Sequence, residues 1–236
     1  PRLSLLEMLY FGGDERFGAL GVSSSAAAYI PCHRNPLPNI ADVDDLHDTV
    51  LRIMAGSEID ERKWRLMTPG TLGGARPKAL IEIENAQWVI KFADGDDARH
   101  EPLIEHAAMT LATRAGIQVA ETRLVEMARG QAVAVRRFDR EIGQRLHVIS
   151  AHVALSAAGS ELSYPALAQL LRRRGDRQDG LAQRQMGELF RRLVFNILID
   201  NTDDHEKNHA LIMTDSQTWL LSPAYDVLPA GSSLGY

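Results

Sequence analysis

Apolar positions first fall into a helical rhythm at Val43, Leu46, Val50, Leu51, Ile53 and Met54, which predicts an amphipathic helix from Asp44 to Ala55. The rhythm then changes to strands. Residues 80–92, Leu-Ile-Glu-Ile-Glu-Asn-Ala-Gln-Trp-Val-Ile-Lys-Phe, read as two strands joined by a turn at Asn85-Ala86. Leu103, Ile104, Ala107, Ala108, Leu111 and Ala112 predict a helix over 101–115, stopped by Gly116. Residues 117–138 read as a second hairpin that turns at Arg129-Gly130. The order strand–strand–helix–strand–strand gives an antiparallel sheet with one helix. Ahead of it lies an apolar opening, Glu7 to Phe11, then a turn at Gly12-Gly13-Asp14 and a strand over Phe17–Val22. Residues 31–42 hold three prolines without a period and read as loop.

Past Phe138 the character becomes helical. Periodicity predicts helices over 146–159, 163–174 and 181–200, the second opened by Tyr164-Pro165, where proline is tolerated in the first turn. A strand follows at Trp219-Leu220. The chain is therefore α+β, with a β-rich part over 1–138 and a helical part over 139–236. Arg172-Arg173-Arg174 reads as a helix end complementing its dipole.

Composition narrows the class. With 45% hydrophobic and 24% charged residues the 236-residue chain is of ordinary globular kind, which excludes disorder and fibrous folds. Its 31 acidic and 26 basic residues give a net charge of −5, unsuited to direct, charge-driven binding of nucleic acid. The single cysteine, Cys32, excludes a disulfide framework and a multi-cysteine zinc site and fits a reducing cytoplasm. No apolar run approaches the roughly 18–20 residues that span a bilayer, and no signal peptide is evident, so no membrane partner is expected. The chain starts at Pro1 without methionine and stops inside a Gly/Ser run, so it reads as part of something longer.

Three constellations carry chemistry. The first is Asn201-Thr202-Asp203-Asp204-His205-Glu206-Lys207-Asn208, directly after the apolar stretch Leu193–Ile199. Asp203 and Asn208 are five apart, the D-x-x-x-x-N spacing of kinase catalytic loops. A carboxylate there takes the proton of a substrate hydroxyl, and an Asn oxygen is a hard ligand for Mg²⁺. Asp204 is off by one on this count, and a capped surface loop is the plainer alternative. The same stretch contains His205-Glu206-Lys207-Asn208-His209, which matches the zinc-protease pattern H-E-x-x-H. That pattern requires a helix with an apolar side and a third ligand, and neither is evident. The second constellation is Leu221-Ser222-Pro223-Ala224-Tyr225-Asp226, a single Asp after a strand, where a kinase places its second metal ligand. The third is Thr71-Leu72-Gly73-Gly74-Ala75-Arg76-Pro77-Lys78, a Gly-rich turn whose backbone can approach phosphates, followed by Trp88-Val89-Ile90-Lys91. Val89-Ile90-Lys91 resembles the V-A-I-K strand whose lysine meets nucleotide phosphates and pairs with a helix Glu, here Glu101 or Glu105.

These motifs together with Val135-Arg136-Arg137-Phe138-Asp139-Arg140 resemble the HipA family, serine/threonine kinases that act as toxins of bacterial toxin–antitoxin modules. The resemblance runs from about residue 10 to the end. It implies a bilobal protein-kinase-like fold, with a β-rich N-lobe carrying a partial N-terminal subdomain and a helical C-lobe that is truncated. It implies ATP and Mg²⁺ as cofactors. Asp203 would accept the proton, Asn208 and Asp226 would hold Mg²⁺, and Lys91 would contact the phosphates with Glu105 as partner. Gly73, Gly74, Ala75, Arg76, Pro77 and Lys78 would form the phosphate loop. Arg136, Arg137 and Phe138 would be the hinge at the adenine, with Asp139 near the ribose, and His205, Glu206, Lys207 and Tyr225 would complete the ATP site. Family members autophosphorylate just before the loop and so shut off ATP binding. Thr71 stands there, where relatives often carry Ser, and Arg136 replaces a Glu found in some members.

The family's targets include aminoacyl-tRNA synthetases, whose phosphorylation arrests growth, the basis of persistence. A HipB-like helix-turn-helix antitoxin binds the toxin and carries most of the contact to operator DNA, in keeping with the acidic charge. The implied reading is a cytoplasmic kinase toxin. Two others stay open: a kinase-shaped subunit of a repressor complex with low activity, and a small-molecule phosphotransferase.

Overall fold

The computed structural model describes residues 3–32, 36–57, 77–93, 100–141 and 143–229. The chain divides into two compact units, Pro1–Pro102 with Leu124–Arg145, and Leu103–Arg123 with Leu146–Tyr236. A single cut at Phe138 does not reproduce this division. Residues 103–123 group with the second unit, and 139–145 group with the first.

The first unit opens with helix α1 (Leu5–Phe11), where Ser4 and Glu7 cap each other's backbone. Helix α2 spans Val43–Met54. Strands β1 (Lys78–Ile83) and β2 (Ala86–Phe92) form an antiparallel hairpin with Ile81 opposite Trp88. Its turn is Glu84-Asn85, one residue earlier than the sequence pattern placed it, because Ala86 already pairs with Ile83. Both turn residues have positive φ, 53° and 61°, the handedness that matches strand twist.

Helix α3 (Glu101–Arg114) is followed by Gly116 at φ 78°. Strands β3 (Thr122–Glu126) and β4 (Gln131–Arg136) complete a four-stranded sheet of order β1-β2-β4-β3. One sheet face, Ala79, Ile81, Ile83, Trp88, Ile90, Phe92, Ala132 and Ala134, packs with Val43, Leu46 and Val50 of α2. Period 2 on the strands meets period 3.6 on the helix, so burial fixes the strand register.

The stretch Phe17–Val22, read as a strand, is irregular chain. Its neighbourhood gives its carbonyls to arginines instead of to another strand. Arg137 donates to the oxygens of Glu15 and Arg16 at 2.8 and 3.1 Å, and Arg140 donates to those of Asp14, Arg16 and Gly18 at 2.9, 2.7 and 3.1 Å.

A small hairpin, β5 (Arg140–Glu141) and β6 (Gln144–Arg145), ends the first unit. In the second unit β7 (Val148–Ser150) leads into α4 (Ala151–Ala157), then α5 (Tyr164–Arg174), α6 (Leu181–Leu198), β8 (Ala210–Met213) and β9 (Trp219–Leu221). The order β7-β8-β9 is antiparallel throughout. Periodicity predicts a helix over 146–159. Its first residues are a strand because Val148 pairs with Ile212 and Ser150 with Ala210, far along the chain. Leu155, Leu167, Leu171, Leu189, Leu211 and Leu221 join helices and sheet in one core. At the end of α5, Arg173 Nε donates to the Gln169 carbonyl at 3.2 Å and Arg177 to that of Arg172 at 3.4 Å, so arginines serve the helix terminus. Among the described residues no helix is long and apolar enough to cross a membrane.

Candidate active site

The Asp/Asn loop begins where α6 stops. Asp200 takes φ 55°, which turns the chain, and Asn201 Nδ2 reaches back to Asn196 Oδ1 at 3.2 Å. The two adjacent aspartates then part. Asp203 is exposed, whereas Asp204 turns inward. Asp204 accepts from the Tyr164 hydroxyl, lies 3.3 Å from His209 Nε2, and is linked through Tyr164 to Asn196 Nδ2 at 3.2 Å. The Tyr164 and His209 rings meet edge to face at 5.0 Å. Burial pushes the Asp204 carboxyl up, but the His209 imidazole, the Tyr164 hydroxyl and the polar Asn196 beside them outweigh it and hold the group below its ordinary value. Burial and the Asp204 charge push the Tyr164 hydroxyl well up, so it remains a donor.

Glu206–Asn208 form one 3₁₀ turn. His152 Nδ1 pairs with Glu206 Oε1 at 2.7 Å, which lowers the Glu206 carboxyl. Asn208 is buried and its amide nitrogen donates to the Asp203 carbonyl at 3.3 Å, which leaves the carboxamide oxygen on the other side of the planar group. His205 and His209 are both extended and no continuous helix joins them, so the helical geometry that H-E-x-x-H needs is missing.

The segment after β9 is fixed from several sides. Ser222 N–H donates to the Ala210 carbonyl at 2.9 Å, and Ala224 N–H to that of Gln118 at 2.8 Å. Arg192 of α6 donates to the Ser222 carbonyl at 2.7 Å. The Tyr225 hydroxyl donates to the Lys207 carbonyl at 2.8 Å. One residue beyond each partner stand Asn208 and Asp226, so this bond ties together the two segments that carry them. Asp226 has φ 58°, a left-handed conformation that few non-glycine residues adopt. Two oxygen donors of hard type, a carboxamide and a carboxylate, fit Mg²⁺.

In the first unit Lys78 and Lys91 are direct register partners across β1 and β2. Alternation puts both on the sheet face opposite the α2 core. Thr71, Gly73, Gly74, Ala75 and Arg76 lie outside the described residues. Pro77 is buried, its carbonyl accepting from Phe92 N–H at 3.0 Å. Arg136 is exposed, and the Arg137 N–H bonds the Gln87 carbonyl at 2.9 Å. Phe138 meets Phe17 edge to face at 5.6 Å.

Asp139 is wholly enclosed. It is 0% exposed, and its carboxylate accepts from Arg137 at 2.9 and 2.7 Å, from Arg140 at 2.7 Å and from Gly18 N–H at 2.7 Å. A side chain so engaged holds the 14–18 segment. Glu105, on α3 in the second unit, is also buried, at 2% exposure.

Spacing alone missed Tyr164, Asn196, Glu188 and Arg192, and offered His209 only as part of the zinc pattern. Only Glu188 and Arg192 left a signal, the i,i+4 pairing of opposite charges.

Residues 70–234 match the family described as HipA-like C-terminal domain. A Sinorhizobium fredii protein named "Putative kinase Y4dM" is 31% identical over 163 residues, 62% of this chain and 38% of that protein. A Haemophilus influenzae protein named "Putative kinase" is 28% identical over 138 residues, 52% of this chain and 39% of its own. The matched part thus spans about two-fifths of these relatives. Among solved structures, HipA of Shewanella oneidensis, in complex with HipB and operator DNA, superposes with a TM-score of 0.62 at 22% identity, over 90% of this chain and 54% of that one. The Helicobacter pylori proinflammatory kinase CtkA gives 0.50 at 17% identity, over 66% of this chain and 55% of its own. These likenesses establish the α+β, protein-kinase-like fold that the motifs had implied.

Proposed function

Because the chain belongs to the HipA-like C-terminal domain family, we propose that it is an ATP- and Mg²⁺-dependent serine/threonine protein kinase. The observation that carries this reading is the Tyr225–Lys207 bond, which links the Asn208 and Asp226 segments while the Asp203 carboxylate stays exposed in the same loop. Asp203 orients a substrate hydroxyl and takes its proton as the oxygen bonds the γ-phosphorus. The bond from that phosphorus to the departing ADP oxygen breaks. Asn208 and Asp226 would hold Mg²⁺, which when bound neutralises charge on the phosphates. In the first unit Lys91 and Lys78 are assigned to the phosphates, and the backbone of Arg136–Phe138 to the adenine.

The wider proposal is a cytoplasmic toxin, neutralised by a HipB-like antitoxin that carries the operator contacts and acting on a translation protein such as an aminoacyl-tRNA synthetase. The Shewanella complex with HipB and DNA supports such a partner, and the net charge of −5 fits DNA contact through it.

Thermal unfolding with and without ATP and Mg²⁺ tests the site. At a ligand concentration a hundred times its Kd, melting should rise by about 5–10 °C. Asp226→Ala should lose the part that depends on Mg²⁺. No Mg²⁺-dependent rise in the unsubstituted protein would overturn the assignment.

A further inference from the structure

Arg192 is a cation on α6 with 3% exposure, and burying a charge is costly unless its donors are used. Its donors go to the backbone on either side of the candidate metal segment. Nη2 bonds the Ser222 carbonyl at 2.7 Å and the Gln118 carbonyl at 3.3 Å, and Nε bonds Glu188 Oε1 at 3.1 Å. The same Glu188 oxygen accepts the Gln118 N–H at 3.0 Å. Gln118 in turn accepts from Ala224 N–H, and the Ala224 carbonyl takes the Ala120 N–H at 2.9 Å. Thus one ion pair on one helix fixes both the start of the 222–226 segment and the short chain it pairs with. Among the described residues Nη1 has no hydrogen-bond partner, and Arg192 borders a small cavity whose walls include Asp204, Asn208, His209 and Tyr225. The guanidinium therefore stands behind both loops that carry the proposed metal ligands.

We propose that Glu188 and Arg192 are positioning residues that hold the Ser222–Asp226 segment, and with it the left-handed backbone of Asp226, in the geometry that receives the metal. The proposal rests on the kinase reading of Asp226. Arg192 touches neither nucleotide nor metal in this scheme. A planar guanidinium fits because Nη2 meets the two carbonyls while Nε, on another edge of the same rigid fork, meets the carboxylate; an ammonium concentrates its donors at one point and does not span those positions. Outer partners of metal ligands typically alter metal affinity about 10–100-fold.

The test measures ATP binding by titration calorimetry across a Mg²⁺ series, and amide hydrogen exchange of 222–226 without metal or nucleotide. Arg192→Lys should raise the Mg²⁺ needed for half-maximal tightening about 10-fold or more and leave metal-free ATP affinity unchanged. Exchange at Ala224 should quicken. Glu188→Gln, which keeps an acceptor oxygen but removes the charge, should move both readings the same way by less. If Arg192→Lys does not fold, Glu188→Gln decides. A folded variant with wild-type Mg²⁺ dependence and wild-type exchange overturns the positioning role while the kinase reading stands. No Mg²⁺ effect in the unsubstituted protein overturns both.

Discussion

Asp139 is a carboxylate without solvent contact that nevertheless holds its charge. Burial pushes its carboxyl up, but the hydrogen bond and charge of Arg137, the charge of Arg140 and the Gly18 N–H together set it below its ordinary value. The folded group binds its proton more weakly than the unfolded one, so its contribution is whole above the unfolded pKa of about 3.9 and is lost as pH falls through the lower folded value. Chemical denaturation from pH 7 to pH 3 should show stability falling at the acid end, and Asp139→Asn should flatten that fall. Parallel curves for the two proteins would contradict it. Asp139→Ala, which takes the carboxylate from buried Arg137 and half-buried Arg140, should cost about 3 kcal/mol at pH 7. The motif Arg137-Phe138-Asp139-Arg140 was legible as a conspicuous string, but not its use. The acceptors it needs are carbonyls at 14–18, more than a hundred residues away and without a side-chain signature.

Helix α5 shows how an element delivers a residue to the site. Ser163 caps it by accepting from Ala166 N–H at 3.3 Å, and the first helical residue is Tyr164, the donor to Asp204. Ser163→Ala should lower stability by about 1 kcal/mol, measured by denaturant midpoint. It should also quicken exchange in the 201–209 loop, because the cap sets the Tyr164 backbone. Quickening confined to α5 would contradict that link. Elements whose burial is local in sequence, α2 and the β1–β2 hairpin, could be read from periodicity within a residue or two. Strand β7 could not, since it is three residues long and its partner begins at Ala210. The Phe17–Val22 strand failed for a related reason. Its apolar residues follow a turn signal as a strand's would, but Phe17 and Leu20 are exposed and arginines, not a neighbouring strand, take its Gly18 and Leu20 carbonyls.

Across the whole molecule the family match covers 70–234, the span that holds every proposed catalytic and metal residue. The loop spacing is what singles out Asp203 and Asn208, because the proposed chemistry would fix their separation along the chain. The inward network around Asp204 was not readable, because Tyr164 and Asn196 reach it only through the packing of α5 and α6. That network separates the adjacent carboxylates. Asp204→Ala should act through folding, whereas Asp203→Ala should leave the fold and Mg²⁺-dependent ATP binding intact and abolish phosphoryl transfer. The most direct measurement is phosphopeptide mass spectrometry of cells expressing the full-length protein, compared with cells expressing Asp203→Ala. The account predicts phosphoserine or phosphothreonine peptides that appear with the unsubstituted protein and vanish with Asp203→Ala. The same phosphopeptides in both cells, or none in either from a protein that binds Mg²⁺ and ATP, would contradict it.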